Sequence, residues 1–225
     1  MAKKTELEEK RQQNIAEAVS KTELFFKQYG KIIYGCVAAV LLIAVCAIAY
    51  NRFLLQPKKA EAVNQLAQAE RWFDAGEYEL ALNGDDNNLG LNDIIAQYGA
   101  KAGEAVYLYA GIASLQTGAY DQAIANLKKY NVKEPILQSR AQACIGDAYV
   151  ELEDYATALT WYEKAAKTAD NLFAAAYLLK AGVTAEALGQ SQKALSFYKE
   201  IKDKWANAPE AMEIDKYITR IESAE

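Results

Sequence analysis

The sequence predicts an all-α chain: one membrane-spanning helix near the N-terminus, followed by a stacked array of helix pairs. Three observations carry that prediction. Residues 32–50 run for 19 positions without a charge, a pattern of glycine, alanine and bulky residues recurs every 35 or 36 residues from Gly111 onward, and prolines number only 3 in 225 residues. A chain that is 52% hydrophobic has enough apolar material to bury a core.

The first element is the polar segment 1–31. Thr5 and Glu8 stand at capping-box spacing, and a thin apolar stripe of Ile15, Val19 and Phe26 gives this tail a helical period. It carries seven basic and five acidic residues, a net of +2, against −7 for residues 51–225.

The second element, IIYGCVAAVLLIAVCAIAY (32–50), lies between Lys31 and Arg52. As a helix it is roughly 28 Å long, close to the roughly 30 Å hydrocarbon thickness of a bilayer. It is apolar on every side, which a core helix of a small protein is not. Tyr34 and Tyr50 near its ends, with Phe25, Phe26 and Phe53 just outside, match the aromatic belts of membrane interfaces. Ala47-Ile48-Ala49 matches a signal-peptidase pattern, but the preceding tail is longer and more acidic than a signal n-region. Cys36 precedes most of the apolar run, where a lipidated cysteine would follow it, so Cys36 and Cys46 are read as small apolar residues. The regional charge difference points to a cytoplasmic tail. Close to the span the basic residues balance, with three in 12–31 and three in 51–70.

Residues 51–59 read as a linker, and the repeats occupy 60–208. Gly111, Gly146 and Gly182 each lie midway along a first helix, and turns follow at Gly118, Glu153 and Gly189. Each second helix carries an alanine (Ala123, Ala158, Ala194) and, four residues on, a bulky residue (Leu127, Tyr162, Tyr198). Tyr120 and Tyr155 follow the first two turns, and Ser191 stands in that place in the third. Two antiparallel helices approach closely only where little side chain intervenes, and the large residue one turn on fills the remaining gap. One such pair leaves an apolar face open, so pairs stack into an array with a concave side. An earlier, degenerate copy has Gly76 at its turn, then Tyr78 and Ala81; its second helix breaks at GDDNNLG (84–90) and resumes at Leu91. Residues 209–225 read as a capping helix.

This grammar resembles the tetratricopeptide repeat, over roughly residues 60–208. The resemblance implies a helical-pair superhelix that binds proteins. The layout of short tail, single span and acidic repeats is similar to the bacterial family of ancillary SecYEG translocon subunits. That likeness implies a single-pass inner-membrane protein with its N-terminus in the cytoplasm and its repeats in the periplasm. Its partners would be the translocon, periplasmic chaperones or exported chains. The import receptor of the mitochondrial outer membrane is similar in outline but presents its repeats to the cytosol, and a cytosol-facing adaptor is the alternative reading.

On the concave side the expected protein-binding residues are Leu108, Ile112, Leu115, Asp147, Val150, Glu151, Leu179, Val183 and Glu186. The carboxylate-binding cradle of some cytosolic arrays maps onto Leu108, Ile112, Cys144, Ala176 and Lys180, of which Lys180 alone is charged. Capture of an acidic peptide terminus is therefore disfavoured, since a carboxylate needs several donors to offset desolvation.

Composition excludes several chemistries. No histidine is present, and three cysteines without a CxxC spacing form no four-ligand zinc site, so no metal and no cofactor is expected. A net charge of −5 opposes nucleic-acid binding. Asp85-Asp86 lacks the remaining ligands of a calcium loop. Glu151 and Glu153 show no apolar pocket that would make them an acid–base pair, and no catalytic residue is expected. Cys144 and the three tryptophans, Trp72, Trp161 and Trp205, read as packing residues.

Overall fold

The computed structural model describes residues 2–169 and 171–223, with side chains described from residue 23 onward apart from 24–26. The capping pair Thr5/Glu8 and the stripe Ile15, Val19 and Phe26 therefore lie outside the described side chains, as do residues 224–225 of the C-terminal cap. Among the described residues no strand forms; a single antiparallel bridge joins Gly84 to Leu89. Two compact units divide between Pro57 and Lys58.

In the first unit, α1 runs Ala2–Tyr50. The residues read as tail and span thus share one helix, with Gly30 and Gly35 both inside it. It contains the one stretch among the described residues that is long and apolar enough to cross a membrane, and none of that stretch is buried by protein. Ile43 is 69% exposed and Val40 65% exposed, so the described residues of the chain leave these apolar side chains uncovered. The residues read as a linker are helical. Asn51–Leu55 form a π-helical turn in which the Gln56 N–H bonds back to the Asn51 carbonyl. This wider turn lies just upstream of Pro57, the residue with no N–H to donate.

The second unit is a succession of helices: α2 (Gln56–Asp74), α3 (Tyr78–Asn83), α4 (Leu91–Tyr98), α5 (Ala105–Gln116), α6 (Tyr120–Lys129), α7 (Pro135–Glu151), α8 (Tyr155–Ala169), α9 (Phe173–Ala187), α10 (Ser191–Lys204) and α11 (Ile214–Glu222). Short 3-10 turns, Gly99–Ala102 and Pro209–Glu213, precede α5 and α11. From α5 onward each helix packs on the next.

Four of the joints share one backbone solution. At Gly76, Gly118, Glu153 and Gly189 the chain turns with positive φ, and the next residue's N–H reaches the carbonyl five residues back: Glu77 to Trp72, Ala119 to Ser114, Asp154 to Tyr149, Gln190 to Ala185. This is the Schellman ending of a helix, which a left-handed residue makes possible. Glu153 is the non-glycine member, with φ of 60°.

The glycines midway along α5, α7 and α9 are covered by the bulky residues of the partner helices. A Cβ at Gly111 would lie 2.4 Å from Leu127 Cγ, one at Gly146 2.6 Å from Tyr162 Cε1, and one at Gly182 2.2 Å from Tyr198 Cε1. Ala123, Ala158 and Ala194 are fully buried beside them. Tyr155 and Tyr120 are half-buried at the starts of their helices.

Three apolar clusters fill the unit. The first joins Leu66, Trp72, Leu91 and Ile94 to Val106; the second joins Leu108 and Leu127 to Ile145; the third joins Tyr162 and Tyr198 to Ile214, Ile218 and Ile221 of α11. The degenerate first copy breaks where the sequence places turn formers. Gly84 and Gly90 approach so closely that a Cβ on either would lie 2.3 Å from a backbone oxygen. The Asp85 carboxylate accepts the N–H groups of Asn87 and Asn88 at 2.8 and 2.7 Å, which holds its pKa below the ordinary carboxylate range.

Candidate functional site

The first helices of successive hairpins, α5, α7 and α9, carry the residues expected to bind a partner. Their positions follow from the repeat register, because residues one and four places after the central glycine project to one side of each helix. The structure divides them into three groups.

Leu108 and Ile112 leave the candidate surface. They are 7% and 9% exposed and pack with Leu127, Ala141 and Ile145, so they belong to the core between α5 and α7. The expectation of a docking role for these two is corrected by their burial. Both are apolar and face a neighbouring helix whose facing residues are also apolar.

Leu115, Asp147, Val150 and Glu151 come together. With Tyr120 and Tyr162 they line a shallow cleft of about 340 Å³ on α5, α6, α7 and α8. The Tyr120 hydroxyl donates to Glu151 Oε2 at 3.2 Å, and this bond holds the phenol above its ordinary pKa. Glu151 is exposed, so the cleft is mainly polar with an acidic lip, and half-buried Leu115 and Val150 supply a small apolar strip.

Leu179, Val183 and Glu186 stand on α9 and do not line that cleft. Val183 is 48% exposed, while Leu179 is half-buried against the C-terminal cluster.

The polar members of the set are tied into bridges between hairpins. Asp147 Oδ1 accepts the Tyr162 hydroxyl at 2.6 Å, and Lys180 of α9 donates to both Asp147 oxygens at 2.6 and 2.8 Å. Glu186 repeats the arrangement. It accepts the Tyr198 hydroxyl at 2.5 Å and a guanidinium nitrogen of Arg220 in α11 at 2.6 and 2.8 Å. Burial, then the adjacent carboxylate, pushes both tyrosines well above the ordinary phenol range. Lys180, the one charged residue of the mapped carboxylate cradle, thus has its ammonium committed to Asp147.

Sequence reasoning had named Asp147, Glu186, Tyr162 and Tyr198 without joining them, and Arg220 not at all. The available signal was an acid and a base separated by 33 or 34 residues, about one repeat length.

Of the packing candidates, Trp72 is buried, whereas Trp161 and Trp205 are half-buried. Trp205 edges a second cleft of about 470 Å³, between α8, α9 and α10, with Phe197, Leu178 and Lys167. Lys164 lies over the Trp161 ring at 4.6 Å. Cys144 is half-buried, and desolvation followed by the nearby Asp147 pushes its thiol up to about 11, so it is protonated at neutral pH.

No protein-family model matches the chain, and no curated protein matches it to a significant degree.

Proposed function

We propose that this chain is a membrane-anchored, non-enzymatic adaptor of tetratricopeptide-repeat type. Its hairpin array holds a segment of another protein in the cleft lined by α5, α6, α7 and α8. The observation that carries the reading is the cleft, a mainly polar surface of Tyr120, Asp147, Glu151 and Tyr162 in which half-buried Leu115 and Val150 leave a small apolar strip beside exposed Glu151. An extended or helical segment with apolar side chains and a basic residue has the complementary chemistry. The array contributes hydrogen-bonded tyrosines and neutralised carboxylates around that cleft, which fit a rigid binding frame rather than a reacting centre.

The anchor is residues 32–50, and the repeats are assigned to the periplasmic side of a bacterial inner membrane, assisting translocation or envelope protein folding. The charge difference between the tail and residues 51–225 supports that orientation. The equal number of basic residues near the two ends of the span supports the second reading, a cytosol-facing adaptor.

An Asp121→Cys chain lacking its native cysteines decides the side. Labelling by an impermeant maleimide in spheroplasts is expected, and labelling only after lysis overturns the exported orientation. Binding is tested with a fluorescent apolar-basic peptide. Val150→Asp is expected to weaken it by about tenfold with helix content unchanged, and equal affinity overturns the cleft as the binding surface.

A further inference from the structure

The two edges of the hairpin array differ in chemistry. Because consecutive helices from α5 to α11 reverse direction and pack on one another, turns within hairpins lie along one edge and turns between hairpins along the other. The within-hairpin edge is acidic, with Asp121, Glu151, Glu153 and Asp154 all exposed, and its turns carry one exposed large apolar residue among those described, Leu152 at 41%.

Two turns of the between-hairpin edge, those before α7 and α9, are apolar and basic. Ile136 and Leu137 at the start of α7 are each 43% exposed, and Leu172 and Phe173 at the start of α9 are 48% and 53% exposed. These pairs are equivalent, 36 residues apart, and their backbones are fixed by capping. Glu134 accepts the N–H groups of Ile136 and Leu137 at 3.0 and 2.7 Å, and Asn171 Oδ1 accepts that of Phe173 at 2.9 Å. Around them Lys133, Arg140 and Lys167 are exposed. Of the acids at these two turns, Glu134 has its charge spread over a helix N-terminus, and Asp170 lies outside the described residues. The third such turn carries Met212 at 87% exposure, between Glu210 and Glu213, and is set aside because those carboxylates oppose an anionic surface.

Scattered apolar residues are ordinary on a protein surface; large ones paired and repeated along one edge beside cations are not. Turn tips project rather than enclose, so they suit a deformable surface better than they suit a peptide. The chain also supplies the location. Lys58 and Lys59 open the second unit only eight and nine residues beyond Tyr50.

We propose that the between-hairpin edge docks on an anionic bilayer surface. Ile136, Leu137, Leu172 and Phe173 seat among the headgroups, and Lys133, Arg140 and Lys167 meet lipid phosphates. The proposal goes beyond protein binding by the array and rests on the reading of residues 32–50 as a membrane anchor. It also leaves the acidic edge and the cleft lip turned away from the lipid.

The test uses the full chain with Cys36, Cys46 and Cys144 replaced by alanine and an environment-sensitive probe at Leu172→Cys or Asp121→Cys. The protein is reconstituted in vesicles of phosphatidylcholine alone or with about 30% phosphatidylglycerol. Flotation after carbonate washing reports the anchor independently. In the anionic vesicles the probe at position 172 is expected to emit further to the blue and to be quenched by headgroup-labelled nitroxide lipid about threefold more than the probe at 121. The difference is expected to shrink in high salt and in Lys133→Glu/Lys167→Glu. Water-like emission at both positions in vesicles that float overturns the proposal alone. A blue shift at 172 that needs an added protein overturns it in favour of a protein occupant. Loss of flotation overturns the anchor and the docking together.

Discussion

The α5–α6 hairpin and the two that follow it solve one crossing in two ways. All three place a glycine under a bulky side chain. In the first that side chain is Leu127, and the helix face beyond it is apolar, with Ile112 buried against α7. In the second and third it is a tyrosine, whose hydroxyl must be satisfied once the ring is buried. Asp147 and Glu186 satisfy it, and each carboxylate then takes a cation from the next hairpin or from α11. The difference teaches that a buried tyrosine with a carboxylate beside it adds a carboxylate–cation bridge to the joint between neighbouring hairpins, where the first joint has an apolar core and the Tyr120–Glu151 and Lys128–Tyr149 hydrogen bonds.

The comparison is broken most severely by emptying its centre. Tyr198→Ala is expected to destabilise the array by about 4 kcal/mol and Leu127→Ala by about 3 kcal/mol, read by urea unfolding of the full chain in detergent. Filling the crossing comes next. Gly182→Ala is expected to cost about 2 kcal/mol, because a rigid ring atom occupies the site, while Gly111→Ala costs less because Leu127 can change rotamer. Removing only the hydroxyl sharpens the contrast: Tyr198→Phe is expected to cost about 1–2 kcal/mol and to couple to Arg220→Met in a double-mutant cycle. The turns offer a test of opposite sign, since Glu153→Gly is expected to stabilise by about 1 kcal/mol by relieving a left-handed backbone that Gly118 and Gly189 already accommodate. Lys180→Met has the smallest expected effect, about 0.5 kcal/mol, because the lysine side chain is 45% exposed and water screens the pair.

Much of this architecture was legible because it is local. Gly146, Ala158 and Tyr162 stand in fixed register, and the spacing of small and large residues already states which surfaces meet. GDDNNLG announced its own break, since Gly84 and Gly90 leave no room for side chains there. Leu108 and Ile112 were misplaced because register gives the side of a helix but not which neighbour covers it. An apolar residue on that side is exposed on α9, as Val183 is, and buried on α5. The Lys180 and Arg220 bridges were harder to read for a related reason: their partners lie one hairpin away, so the one-repeat spacing of acid and base signals a contact only once the array is closed.

Arg220 carries a consequence for how hairpins are joined. It stands on α11, a lone helix, yet it meets Glu186 much as Lys180 of a complete hairpin meets Asp147. The carboxylate of α9 therefore receives from α11 the kind of cation that the carboxylate of α7 receives from α9, so one latch serves two different following elements. Lengthening the protein by one module would mean splicing a hairpin between α10 and α11 that brings its own cation for Glu186 and offers a fresh carboxylate to Arg220.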